Sequence, residues 1–158
     1  MTETRQSRTS TFLPRPVGLT LLTWLLGFWA GAALLALAGL WLGEGDVLMN
    51  GKPTPRPLVR EMLVPMLLPM ALATGGAAAA LWLDSAWARP ATLFAFLLAG
   101  PLATYPRWEE ATNPGGAPLL GLLVIAPLLV GLGWYLYAKP NVAAYFRALT
   151  EARLEGRL

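Results

Sequence analysis

The sequence contains no cysteine and no histidine. Without cysteine there is no disulfide, no thiolate metal site and no cysteine nucleophile. Without histidine, the commonest metal ligand, the usual haem ligand and the one side chain that titrates near neutrality unperturbed are missing too. Charge is scarce: Asp, Glu, Lys and Arg make up 13% of the 158 residues against 56% apolar, too few to solvate a water-soluble domain of this size. The charges also avoid four stretches altogether, roughly 17–43, 63–83, 91–105 and 118–137. That last absence matters most, because ionisable groups inside apolar spans mark pumps, proton relays and ion pathways.

The four stretches are themselves informative. A helix needs about 20 apolar residues to cross a bilayer, at about 1.5 Å per residue. Three stretches reach that length and 91–105 nearly does. Lipid offers the backbone no hydrogen-bond partners, so such segments must be helical. The expected fold is an all-α membrane protein, a four-transmembrane-helix bundle over 17–138. It lies between a basic N-terminal tail (1–16) and an amphipathic C-terminal tail (139–158). Arg5, Arg8 and Arg15 before an apolar run, with Ala36-Leu37-Ala38 after it, resemble a secretory signal. The run far exceeds the roughly 7–15 residues of a signal h-region, so the first helix is expected to be retained.

Lys and Arg set the orientation. Arg5, Arg8, Arg15, Arg89, Lys139, Arg147, Arg153 and Arg157 fall on one side, eight in all; Lys52, Arg56, Arg60 and Arg107, four, fall on the other. The positive-inside rule places both termini in the cytoplasm. Trp41, Tyr105 and Trp108 then belong to the outer interface, and Trp82, Trp87, Trp134, Tyr135 and Tyr137 to the inner one. The basic excess at the termini suits anionic headgroups, and no aromatic-interleaved basic patch of the kind that holds nucleic acid is present. The lipid bilayer is thus the first partner, with a membrane protein or a second copy of the chain as the next.

Small residues recur at helical spacing. Gly27 and Gly31 are four apart in the first stretch, as are Gly39 and Gly43, and Ala71, Gly75 and Ala79 align in the second. Such positions let helix backbones approach, which matters in lipid because no hydrophobic effect drives helices together there. The expectation is that Gly27, Gly31, Ala71, Gly75 and Ala79 are packing positions, within the monomer or against a partner. Pro65, Pro69, Pro101 and Pro127 interrupt the other three stretches and predict kinks.

Between the first two stretches, Asn50-Gly51 predicts a short hairpin, since both residues tolerate positive φ. Thr54-Pro55 then reads as a helix N-cap followed by proline in the first turn. In the other outer loop, Glu109 and Glu110 lie beside Arg107. Carboxylates adjacent in sequence seldom converge on one atom, so a salt-bridged rim is expected rather than an acid–base pair. No catalytic, metal or cofactor set can be assembled. The C-terminal tail is more legible. Lys139-Pro140-Asn141 breaks the last stretch with Asn141 as an N-cap, and Val142, Tyr145, Phe146 and Leu149 follow the i, i+3, i+4, i+7 pattern. That stripe predicts a short cytoplasmic helix lying in the headgroup region with Tyr145 and Phe146 in lipid, or docked on a partner.

Three segments carry a resemblance: Arg15-Pro16-Val17-Gly18-Leu19-Thr20, Trp87-Ala88-Arg89-Pro90, and the run from Leu136 to Phe146 read as L-Y-x-x-P-x-V-x-x-Y-F. The chain resembles small, mostly uncharacterised four-helix integral membrane proteins of bacteria and archaea. The resemblance implies a topology and an inner-membrane setting but no activity. The functional expectation is a non-catalytic scaffold, assembly factor or accessory subunit of a membrane complex. The alternative is a small channel or carrier for a neutral or lipid-like solute, for which the proline-bearing helices speak.

Overall fold

The computed structural model describes residues 14–49, 51–108 and 116–155, and within 99–124 it describes the backbone alone. The expected outer-loop carboxylates Glu109 and Glu110 lie outside the described residues. Among the described residues five α-helices follow one another: α1 (Val17–Leu42), α2 (Arg56–Trp82), α3 (Ala88–Trp108), α4 (Gly116–Gly133) and α5 (Pro140–Leu154). A hairpin of β1 (Val47–Met49) and β2 (Lys52–Thr54) joins α1 to α2, and a π-helical turn, Trp134–Ala138, joins α4 to α5. The fold is all-α apart from that hairpin. Both α1 and α2 are long and apolar enough to cross a membrane.

Short connections dictate the arrangement, because they leave successive helices no choice but to run antiparallel side by side. Accordingly α1 packs on α2, α2 on α3 and α3 on α4. The array has two distinct ends. One carries the hairpin. The other gathers the start of α1, the α2–α3 turn, the π-helical turn and α5.

The α1–α2 contact is built on a regular seam. Leu19, Thr23, Leu26, Ala30, Ala33, Leu37 and Leu40 are the buried residues of α1, spaced alternately four and three apart. That is the 3.5-residue repeat of a left-handed coiled coil. On α2, Val59, Ala71, Thr74, Ala77 and Leu81 are buried. Buried hydroxyls satisfy themselves locally: Thr23, Thr74 and Thr92 each donate to a carbonyl one turn back, on Leu19, Met70 and Ala88, at 2.7 Å. Despite Pro65 and Pro69, α2 continues unbroken for 27 residues.

At the hairpin end, β1 and β2 pair antiparallel with Met49 opposite Lys52, and Gly51 in the turn has φ +76°, a conformation open to glycine. Thr54 is not the N-cap of α2: it belongs to β2 and its Oγ1 donates to Lys52 O, while Pro55 takes the cap position. The carbonyls that α1 leaves open at its C-terminus are closed by two arginines of α2. Arg56 donates to Gly39 O (2.7 Å), Gly45 O (2.7 Å) and Glu44 O (3.0 Å); Arg60 donates to Leu40 O (2.8 Å) and stacks 4.8 Å from the Trp41 ring centroid. Cations here also complement the negative end of the α1 dipole. A Cβ at Gly43 would run into the Arg56 guanidinium, so this glycine makes room for the cap.

The main apolar cluster sits at the opposite end. It joins Leu19 and Leu26 of α1, Ala77 and Leu81 of α2, Ala88 and Ala95 of α3, Leu136, and Val142, Tyr145 and Phe146 of α5. The expectation that Tyr145 and Phe146 of α5 sit in lipid is therefore corrected. Val142 is fully buried, Tyr145 and Phe146 are 7% and 8% exposed, and Leu149 packs against the same cluster. The stripe finds its apolar partners on the helix ends of its own chain.

Candidate functional site

The end of the array capped by α5 concentrates the polar side chains that are held in place. It begins with the way α2 stops. Ser85 N–H bonds Ala80 O and Asp84 N–H bonds Leu81 O, a Schellman closure with Asp84 in the left-handed conformation at φ 49°. Glycine is the usual residue there; aspartate costs backbone strain, and a strained position keeps its side chain for a reason. The Asp84 carboxylate accepts a hydrogen bond from the Tyr145 hydroxyl, and the Asp84 carbonyl accepts one from Arg153 Nη2 at 2.7 Å. Two bonds thus tie α5 to the α2–α3 turn.

Arg15, just before α1, ties the N-terminal side to the same place. Its Nη2 donates to Thr23 Oγ1 and to Leu81 O, both at 2.9 Å. Across the end, a Cβ on Gly18 would strike the Tyr135 hydroxyl, so only a glycine lets the start of α1 approach the π-helical turn. The wider turn precedes Pro140, which has no N–H and whose ring would clash with the carbonyl one turn back in a continuing α-helix. Lys139 leaves the helix with ψ 120°, and its N–H bonds back to Trp134 O at 3.0 Å. The first residue of α5 is Pro140, so Asn141 lies inside the helix and is not its cap.

Arg89 opens α3 among aromatic rings. Its guanidinium carbon is 4.2 Å from the Phe146 ring centroid and 5.1 Å from that of Tyr137. Its Nε and Nη2 are sealed from solvent and have no hydrogen-bond partner among the described residues. Lys139 Nζ lies 4.9 Å from the Tyr135 ring centroid. Deeper along the helices, an apolar cleft separates α1 from α3. Leu25, Leu26 and Trp29 face Ala95 and Phe96 across Met70 and Thr74 of α2, around a hollow of about 350 Å³. Leu25 and Phe96 also line a shallower hollow of about 840 Å³ that reaches Pro127, Leu128 and Leu132 of α4.

No protein-family model, curated protein or solved structure matches this chain. What the residues do is read from their own chemistry. Among the described residues, no three acidic side chains come close enough to hold a metal ion. The arrangement can hold a helix, stack cations on rings and accommodate an apolar chain.

The small residues named from spacing part company. Ala71 is buried, and a Cβ on Gly75 would touch Ala30 Cβ at 3.5 Å, so these two lie where α2 meets α1. A Cβ on Gly27 or Gly31 would meet nothing among the described residues, and Ala79 is exposed, so these three lie off the α1–α2 contact. The reason is periodicity. Glycines four apart drift off a seam that repeats every 3.5 residues, which the alanines Ala30 and Ala33 follow. Within the monomer the α1 residues that meet α2 are those of the alternating four–three step, and Gly27 and Gly31 are left to lipid or a partner. The contacts that Arg15, Arg56, Arg60 and Asp84 make were not foreseen, since bonds to distant carbonyls leave no periodic trace.

The Tyr145–Asp84 contact makes the site pH-dependent. Burial, then the hydrogen bond to Asp84 and its charge, push the Tyr145 hydroxyl up to about 12, with Arg15 pulling it the other way. An unfolded tyrosine ionises near about 10. Between the two values the released tail has lost a proton that the docked tail keeps, so docking is favoured below about pH 10 and weakens as pH rises towards 12. Proteolysis of α5 should therefore accelerate over that window in the native chain. In Tyr145→Phe the alkaline step should vanish, and an unchanged step in that variant would assign it to another group.

Proposed function

We propose that the chain is an integral membrane protein of a bacterial-type inner membrane, with α1–α4 as four spans and both termini cytoplasmic. In this reading it serves without catalysis as a scaffold, assembly factor or accessory subunit of a membrane complex. The observation that carries it is the exposure of α1. Its apolar window is only 28% buried, that of α2 only 22%, and Leu21, Phe28 and Leu35 of α1 are 65%, 73% and 75% exposed. The core helix of a water-soluble protein turns such residues inward; at about 25 cal/mol per Å², leaving them in water is costly. Lipid is the solvent in which this surface is at rest. The helices α3 and α4, with 21 and 18 residues, come within reach of a bilayer core of about 30 Å. Polar side chains gather at the two ends of the array, where headgroups and water meet them.

The absence of cysteine and histidine and the uncharged spans support a role in assembly rather than in chemistry or ion conduction. The α1–α3 cleft favours a second reading, a carrier of a neutral or lipid-like solute. Single cysteines in this cysteine-free chain test the topology. At Thr54 and Asn113 they should react with an impermeant thiol reagent in sealed cells, and at Ser7 and Thr150 they should not; the reverse pattern overturns the orientation. A stoichiometric partner recovered from native membranes supports the accessory role, and solute flux in liposomes of the pure protein supports the carrier.

A further inference from the structure

We propose that the end of the array holding Arg89 binds the phosphate of an anionic phospholipid of the cytoplasmic leaflet, with an acyl chain laid in the cleft between α1 and α3. The inference rests on the membrane reading above and gives that surface a ligand. Arg89 supplies the first argument. An arginine carries five donors and keeps its charge at any working pH. Here the rings of Phe146 and Tyr137 stand against the guanidinium, and Nε and Nη2 are enclosed without an acceptor among the described residues, so the charge is uncompensated and an anion meets it from outside rather than through those two donors. The other charged side chain that acts on Arg89 is Arg147, a second cation and an exposed one; among the described residues no carboxylate does. Two cations without a carboxylate between them among the described residues suit an anion with several oxygens.

Position supplies the second argument. Phe96 lies seven residues beyond Arg89, on the same face of α3 and about 10 Å deeper at about 1.5 Å per residue. Phe96 lines both apolar hollows. The order from the end of the array inward is therefore cation, then apolar cleft. A phospholipid has the matching order: anionic head, glycerol, hydrocarbon. A free phosphate satisfies only the first part, and a zwitterionic lipid offsets its phosphate with a cation that Arg147 repels.

The full chain in neutral detergent is given phosphatidylglycerol or phosphatidylcholine, and bound lipid is counted by native mass spectrometry, with glycerol 3-phosphate as soluble competitor. Wild type should retain phosphatidylglycerol about tenfold better, the ratio that one charge-assisted hydrogen bond provides. Arg89→Gln should abolish the preference and Arg147→Gln should reduce it; Arg89→Lys, which keeps the charge, should hold part of it and covers a poorly folding Gln variant. Lys52→Gln, at the other end, should leave it intact, and Leu25→Trp, which fills the α1–α3 cleft, should lower retention of both lipids. Equal retention of the two lipids by wild type overturns the site, as does a full preference in Arg89→Gln. Displacement by equimolar glycerol 3-phosphate would replace it with a free-anion site. Release of the chain from membranes by alkaline carbonate would sink the membrane reading itself; a chain that stays in the membrane without a lipid preference sinks the lipid site alone.

Discussion

Ala30→Leu should destabilise the α1–α2 pair by about 1–3 kcal/mol, the cost of forcing extra methylenes into a packed contact. Gly31→Leu, one residue along, should change stability by no more than about 0.5 kcal/mol. The contrast follows from the seam. Ala30 is buried, and a Cβ added to Gly75 would touch it at 3.5 Å, so a leucine has nowhere to go unless the helices part. Gly31 faces open space, and leucine is the better helix former. Unfolding of the two variants in mild detergent gives the comparison. Loss of stability in Gly31→Leu, with Ala30→Leu tolerated, would place the working contact on the glycine face and point to a second chain seated there.

The same seam shows how far the sequence can be read. Uncharged apolar runs announced the helices because composition alone decides whether a segment of that length survives in lipid or water. The hairpin was legible from Asn50-Gly51, since few residue pairs tolerate its turn. The α5 stripe was legible as a stripe, but not its partner: Val142, Tyr145 and Phe146 have the same pattern whether they face lipid, another protein or Leu19, Leu81 and Leu136 of their own chain. Which small residues pack also escaped, because glycine and alanine are abundant throughout both helices and only the phase of the repeat separates Ala30 from Gly31. The long-range polar bonds were invisible. Arg56 reaches Gly39 O and Arg15 reaches Leu81 O across 17 and 66 residues, and nothing local in the sequence marks which carbonyl a distant guanidinium will reach.

Phe146→Ala should cost about 3–5 kcal/mol and loosen α5 from the rest of the chain, the largest effect expected of any single truncation here. Phe146 is 8% exposed, lies edge-on to Tyr145 with ring centroids 5.6 Å apart, and stands against the Arg89 guanidinium. Its loss removes apolar burial, a ring contact and a cation partner together. Tyr145→Asp with Phe146→Asp goes further, placing two charges in the apolar cluster where the docked helix has no means of solvating them. The tail should then be cut beyond Asn141 much faster than in wild type, with the four apolar helices still inserted. Limited proteolysis in liposomes of the pure protein is the decisive setting, because lipid and the chain itself are then the only surfaces present. Protection of wild type both there and in detergent without a bilayer, lost in Phe146→Ala, means that α5 docks on its own chain, in line with the burial of Val142 and Tyr145. Equal cleavage of wild type and variants in liposomes, with protection restored in native membranes, would mean that a partner holds the helix. In that case the exposed Arg147 and the rings beside Arg89 belong to the partner's surface, and the phosphate site gives way to a protein contact.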